Sequence, residues 1–258
     1  MTRVLSLCFW LFLILSSMIA FPAAIAIWAL TALRDPRRRL LHRFTCLWGS
    51  LYTWINPVWR VELCGREKIR PDESYVMVSN HLSLLDILVI CRLRTHFKWV
   101  SKIENFRIPF IGWNMSLNRY IRLARGRRKS VLTMMRECET TLASGNSIMM
   151  FPEGTRSPSG KLREFKTGAF ELAKSAKSPI LPIALEGTAD ALPKRGFVLQ
   201  GRHAIRLTVL DAIAWEEVAE LSVAELTQHV HDLIAAQLGP GEKPAAARGR
   251  GARADSVA

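Results

Sequence analysis

From Val4 to Leu33 the chain carries no charged residue. That run is longer than the ~20 apolar residues that cross a bilayer as a helix. A helix apolar on all sides belongs in the core of a large protein or in lipid. With 258 residues in all, the remainder suits one domain of ordinary size. The run is therefore expected to be a membrane anchor. Pro22 lies inside it, which admits a kinked spanning helix or two shorter inserted helices. A cleaved secretory signal is the competing reading, from Arg3 and the small residues of "AFPAAIA". The run outlasts the ~7–15 apolar residues of such signals and continues past any such cleavage site.

Only Arg3 precedes the run, whereas Arg34, Arg37, Arg38, Arg39 and Arg43 crowd behind it. By the positive-inside rule, the rest of the chain lies on the cytoplasmic side of the inner (cytoplasmic) membrane. The formal net charge is +14, spread along the whole chain without a nucleic-acid motif. A membrane surface and an anionic, phosphate-bearing substrate account for it better than nucleic acid does. The five cysteines are scattered with no C-x-x-C pair, which fits a reducing compartment and argues against a disulfide framework or a metal site.

Residues 1–57 are expected to be the anchor followed by a helix, "RRRLLHRFTCLWGSLYTWINP", which either lies at the membrane interface or covers a core. From 58 to 238 strand-like runs ("WRVELC", "YVMVS", "KWVSK", "NSIMM", "SPILPIALE", "AIRLTVLDAI") alternate with helical ones ("SLLDILVICRL", "KSVLTMMRECETTLASG", "GAFELAKSAK", "VAELTQHVHDLIAAQL"). That alternation predicts an α/β fold, a mixed sheet covered by helices. The Gly-, Pro-, Ala- and Arg-rich stretch 239–258 is expected to be a disordered basic tail.

The segment "SNHLSLLD" holds His81 and Asp86. Five residues along one helix turn by roughly 140°, so the pair meets only if the backbone bends between them. The strand end and Ser83, a good N-cap, supply such a bend. Ser83-x-x-Asp86 is equally a capping-box pattern, which explains Asp86 without catalysis. A second polar cluster, "FPEGTRS", follows the strand "SIMM". An arginine in such a turn suits a phosphate, because a guanidinium binds its oxygens as a fork. Ligands of α/β sheets bind beyond the carboxyl ends of strands, where both clusters lie.

Asn80, His81, Ser83 and Asp86 form an "NHxSxxD" signature that resembles the glycerolipid acyltransferases, the lysophosphatidic acid acyltransferase group. "FPEGTRS", with Glu153, Gly154, Thr155 and Arg156, is similar to that family's third block. "KIENFRIPFIGW" and "LPIALEG" resemble its second and fourth, and "REFKTGAFELA" the stretch after the third. In one place the pattern departs: Arg119 stands where the second block often has a glycine, while Arg125 keeps the final arginine. That region contributes to acceptor recognition in the family.

The resemblance implies acyl transfer from a thioester, acyl-CoA or acyl-carrier protein, to the free hydroxyl of lysophosphatidic acid, giving phosphatidic acid. No further cofactor and no metal is implied. His81 is then the general base, since imidazole has an ordinary pKa of about 6.5 and is mostly neutral at pH 7, and Asp86 orients it. Arg156 is expected to hold the acceptor phosphate, with Lys102 and Arg125 as further candidates. Glu153 either orients Arg156 or contacts the glycerol, and backbone N–H groups near Gly154 face the oxyanion. The implied partners are lipid substrates, the membrane and an acidic carrier protein, not nucleic acid. Three other readings remain open at this point: an acceptor such as another lysophospholipid or a lyso-ornithine-type lipid, acyl-chain remodelling from a phospholipid donor, and a non-catalytic membrane-binding protein.

Overall fold

Strands buried on both faces form where short uncharged runs are bounded by glycine, proline or asparagine, and the amphipathic runs between them become covering helices. The structure, a computed structural model, describes residues 2–194 and 196–239. The expected disordered tail falls, beyond Gly239, outside the described residues. In chain order the elements are α1 (Thr2–Thr31), α2 (Arg39–Trp54), β1 (Trp59–Cys64), β2 (Val76–Ser79), α3 (Leu85–Ile90), β3 (Phe97–Lys102), α4 (Ile111–Leu117), β4 (Ile121–Leu123), α5 (Arg128–Ala143), β5 (Ser147–Met150), α6 (Gly168–Ser175), β6 (Ile180–Glu186), α7 (Thr188–Ala191), β7 (His203–Val209), α8 (Trp215–Glu220) and α9 (Val223–Leu238).

The sheet order is β1-β7-β6-β2-β5-β3-β4. β2 to β6 run parallel; β7 is antiparallel to β6 and carries β1 parallel to itself. The expected mixed sheet is what forms. Side chains alternate across it as the pleat requires. Val76 and Val78 pack with Met134, Phe170 and Ile234 from α5, α6 and α9, whereas Tyr75 and Met77 pack with Trp48, Leu85 and Val89 from α2 and α3. Because β2, β3 and β5 are parallel, their carboxyl ends share one edge.

Pro22 does not break α1, which is a single helix of about 45 Å at 1.5 Å per residue. Its segment Arg3–Thr31 has a mean hydropathy of 2.4. One side stays open, with Leu7, Ile19 and Leu30 at 68%, 77% and 82% exposure. The other side meets the domain along its length. Phe9 packs on Trp59 with ring centres 5.4 Å apart, Phe21 lies 5.5 Å from Trp113, and the Arg38 guanidinium sits 5.8 Å over Trp28. Phe9, Trp48 and Tyr52 belong to the same buried cluster as Tyr75 and Met77. Residues up to 57, expected as a separate anchoring unit, therefore share a core with the sheet.

Of the two readings of the segment after the anchor, the structure shows the core-covering one, and α2 also keeps an exposed apolar side. α2 buries Leu41, Cys46, Trp48 and Tyr52, while Leu40, Leu47 and Trp54 remain 48%, 48% and 40% exposed. Those three recur every seven residues and form one outward stripe. The turn before α2 is tied to the sheet by Lys98, whose buried ammonium donates to Arg37 O at 2.7 Å and Asn118 O at 2.9 Å. Burial pushes its pKa down to about 7.

At the end of β6, Gly187 takes φ 78°, and a Cβ there would lie 2.1 Å from Ala204 O on β7. Gly160 has φ 73° but only ordinary contact around it. Gly187→Ala is therefore expected to destabilise the protein by about 2–5 kcal/mol, strain plus overpacking, and Gly160→Ala by about 1–2 kcal/mol, strain alone. Urea midpoints of the two variants in detergent solution check the difference.

Candidate active site

The backbone bend the sequence requires is present. β2 ends at Ser79, residues 80–84 are non-helical, and α3 begins at Leu85. His81 thus sits in the turn and Asp86 in the helix's first turn. His81 Nδ1 lies 2.8 Å from Asp86 Oδ2. The same oxygen accepts from Leu82 N at 2.7 Å and Ser83 N at 2.8 Å. Since a carboxylate oxygen only accepts, Nδ1 carries the proton and Nε2 is the free base nitrogen. The cap and the catalytic pair are thus not alternatives: one oxygen does both. Ser83 does not complete a capping box. Its hydroxyl donates to Leu192 O at 2.6 Å and accepts from Leu85 N at 3.2 Å. Asp86 is fully buried and His81 is 14% exposed in its side chain, so solvent or substrate reaches the pair only through the imidazole.

Asn80 fixes the turn from the other side. Its side chain donates to Leu185 O at 2.9 Å and accepts from Leu185 N at 2.8 Å, standing in for a residue of a neighbouring strand on β6.

The "FPEGTRS" turn leaves β5 at the same edge. The Phe151 ring stacks on the imidazole at 4.0 Å and 12°, and on its other flank lies Trp99 at 5.7 Å. The two loops are also joined by backbone: His81 N donates to Glu153 Oε1 at 2.8 Å, and Ser157 N donates to His81 O at 2.8 Å. Glu153 therefore holds the His81 main chain. Among the described residues no carboxylate pairs with Arg156, so of the two roles expected for Glu153 the structure does not show the first, orienting that guanidinium. Burial pushes the Glu153 pKa up to about 7; the neighbouring Asp86 charge adds to this, while the hydrogen bond from His81 and the charges of Arg163 and Lys194 act against it.

Gly154 adopts φ 70°, and a Cβ would meet Lys166 Cε at 3.1 Å and Nζ at 3.2 Å. Its N–H is taken by Phe151 O at 3.0 Å, so it is no oxyanion donor. The next two amides, of Thr155 and Arg156, have no intramolecular acceptor among the described residues. Arg156 is half-buried, and its carbonyl accepts from Lys194 Nζ at 2.7 Å. Lys166 stands within the "REFKTGAFELA" stretch, but nothing local assigned it to Gly154, and Lys194 lies far along the chain from Arg156, whose carbonyl it binds. Phe151 was visible within the motif, but nothing local assigned it to the imidazole.

Lys102 ends β3 at this edge, 43% exposed and 3.4 Å from Glu104. Arg125 is exposed in the turn after β4. Arg119 precedes β4 and so lies at the opposite edge, next to Asn118, whose carbonyl accepts from Lys98. Its φ is 55°, a left-handed conformation that glycine adopts without strain. At Arg119 the chain thus adopts a backbone conformation that the family's usual glycine would take more easily.

Residues 60–186 match a family model described as Acyltransferase. A 1-acyl-sn-glycerol-3-phosphate acyltransferase of Pseudomonas aeruginosa is 30% identical over 185 residues, 70% of this chain and 71% of that protein. The chain belongs to the glycerolipid acyltransferase family. Another relative, the 1-acyl-sn-glycerol-3-phosphate acyltransferase LPAT1 of Arabidopsis thaliana chloroplasts, is 40% identical over 161 residues, 62% of this chain but 45% of that protein. The chain spans about half the length of this and similar plant and algal relatives. The fold of this acyltransferase family member is also that of the 1-acyl-sn-glycerophosphate (LPA) acyltransferase PlsC from Thermotoga maritima. The TM-score is 0.75 at 23% identity, covering 92% of this chain and 96% of that one.

The raised Glu153 pKa has a consequence for stability. Between pH 4.5 and about 7 the folded state keeps a proton that the unfolded state has lost, so stability falls as pH rises through that window. At ~1.4 kcal/mol per pKa unit the loss is at most about 3 kcal/mol. Glu153→Gln is expected to lack this slope, as read by urea midpoints of both proteins at pH 5 and pH 8.

Proposed function

We propose that the protein transfers a fatty acyl group from a thioester to the free hydroxyl of lysophosphatidic acid, yielding phosphatidic acid. The observation that carries this reading is the 2.8 Å contact of His81 Nδ1 with Asp86 Oδ2, side by side with the turn that bears Arg156. The printed names of the relatives, 1-acyl-sn-glycerol-3-phosphate acyltransferases, support the same choice of substrate.

In the proposed reaction His81 Nε2 takes the proton of the acceptor hydroxyl as its oxygen attacks the thioester carbonyl. The Asp86 carboxylate stabilises the imidazolium that forms. The C–S bond then breaks, and the imidazolium returns the proton to the departing thiolate. General-base assistance of this kind is worth about 10²–10⁴ in rate; positioning and oxyanion donors must supply the rest. The free amides of Thr155 and Arg156 suit the developing oxyanion or the phosphate. The Arg156 guanidinium binds the acceptor phosphate, with Lys102 and Arg125 as further cations at the same edge. Glu153 and Phe151 hold the His81 main chain and ring.

The open apolar side of α1 and the Leu40–Leu47–Trp54 stripe of α2 supply the membrane attachment, which keeps the enzyme where its lipid acceptor and product reside. The arginines after α1 place residues 58–238 on the cytoplasmic side, where acyl-CoA or an acidic acyl-carrier protein is met, the latter steered by the net positive charge.

Assays with lysophosphatidic acid and labelled acyl-CoA test this. His81→Ala is expected to abolish transfer with the unfolding midpoint kept. Asp86→Asn should lower kcat by about 10³–10⁴, since its amide either faces three donors or leaves Oδ2's partners with a weaker acceptor. Arg156→Ala is expected to raise KM for lysophosphatidic acid tenfold or more, about the loss of one charged contact at ~1.5–3 kcal/mol. Full activity in His81→Ala would remove the mechanism, and an unchanged KM in Arg156→Ala would remove the phosphate role.

A further inference from the structure

A second cavity lies at the amino ends of β2, β3 and β5, across the sheet from His81. It encloses about 270 Å³ and is lined by Arg39, Arg66, Arg70 and Arg94, with His96 and a single acidic residue, Glu73, among the described residues. Glu73 offers little compensation. Its Oε2 already accepts from Tyr75 Oη at 2.6 Å and stands 3.9 Å from Arg70. The Arg94 guanidinium leans over Trp54, 5.0 Å from the ring centre. Arg39 and Arg66 have no carboxylate partner among the described residues. A fifth guanidinium, of Arg37, reaches the rim, 2.9 Å from where a Cβ on Gly145 would stand. His96 is driven to its neutral form, chiefly by burial, with the Lys98 and Arg39 charges acting the same way and the Asn146 hydrogen bond and the Asp35 charge acting against it. Like charges gathered round a cavity repel one another, and an anion in their midst removes that repulsion.

The cavity also has a defined position relative to the membrane-facing surface. Arg39 opens α2, six residues after Leu33, the last residue of the uncharged run, which is 98% exposed. The helix that starts with Arg39 carries the apolar stripe of Leu40, Leu47 and Trp54. Guanidinium groups just past the end of an apolar helix stand at the depth of lipid phosphates, and a guanidinium fork matches phosphate geometry.

We propose that this cavity binds a phosphate anion, that of an anionic lipid headgroup, at a site separate from the catalytic edge. The inference uses none of the residues assigned to acyl transfer and stands or falls apart from that assignment.

The test uses the full chain in neutral detergent micelles, with the unfolding midpoint as readout. Three additives are titrated: phosphatidylglycerol, phosphatidylcholine and inorganic pyrophosphate. The midpoint is expected to rise saturably with phosphatidylglycerol and to ignore phosphatidylcholine. In the double variant Arg66→Gln/Arg70→Gln the half-saturating mole fraction should rise about tenfold or more, from roughly 1 kcal/mol per arginine at a lipid surface. Both side chains are exposed and stand among like charges, so the additive-free midpoint should not fall. The charge-matched variant Arg60→Gln/Arg202→Gln, at exposed positions away from the cavity, should keep the wild-type curve. Equal losses in the two variants would mean diffuse charge attraction and overturn the proposal. A response to pyrophosphate alone, lost in Arg66→Gln/Arg70→Gln, would assign the cavity to a free anion and overturn the headgroup.

Discussion

One carboxylate oxygen organises the carboxyl edge of the sheet. Asp86 Oδ2 accepts from the His81 ring and from the amides of Leu82 and Ser83. Two of these donors would be orphaned at the start of α3, and a buried amide without an acceptor costs about 1–3 kcal/mol. The residue that shapes the turn is thus the same one that sets the imidazole tautomer. Structure and chemistry cannot be separated by a substitution at this position, because the turn itself brings the ring within reach.

The turn is held from three directions at once. Asn80 pairs with the backbone of β6, Glu153 and Ser157 clamp the His81 main chain from the loop after β5, and Phe151 lies flat on its ring. All of this depends on β2 having β5 on one side and β6 on the other. Parallel pairing brings the carboxyl ends together, so residues 70 apart in sequence meet over one strand. The Glu153 carboxylate is placed there at the expense of its solvation, with only one of its oxygens hydrogen-bonded in the fold.

The two edges of the sheet are chemically distinct. The carboxyl edge couples buried carboxylates to scattered cations, an arrangement that suits the proposed acid–base site for an anionic substrate. The amino edge gathers arginines with almost no counter-charge, close to where the apolar helix ends. Between them, α1 and α2 cover one face of the sheet and leave their outer sides apolar. A chain with this distribution has one apolar face beside its excess of positive charge, a combination that fits the proposed membrane attachment.

How much of this was legible follows from the range of each interaction. The apolar run, the strand–helix alternation, and the bend that lets His81 meet Asp86 rest on contacts within a few residues, and the sequence alone determined them. It also determined the mixed α/β class and the two polar clusters at strand ends. It left undecided whether Asp86 caps the turn or pairs with His81, and the fold makes both true; it also left open whether α2 covers the core, which the fold shows on one side of that helix. The partner of Glu153, the ring under His81, the occupied amide of Gly154 and the left-handed turn at Arg119 were decided by tertiary structure. Each depends on which strands become neighbours, and strand order is fixed by long-range burial that no local pattern encodes.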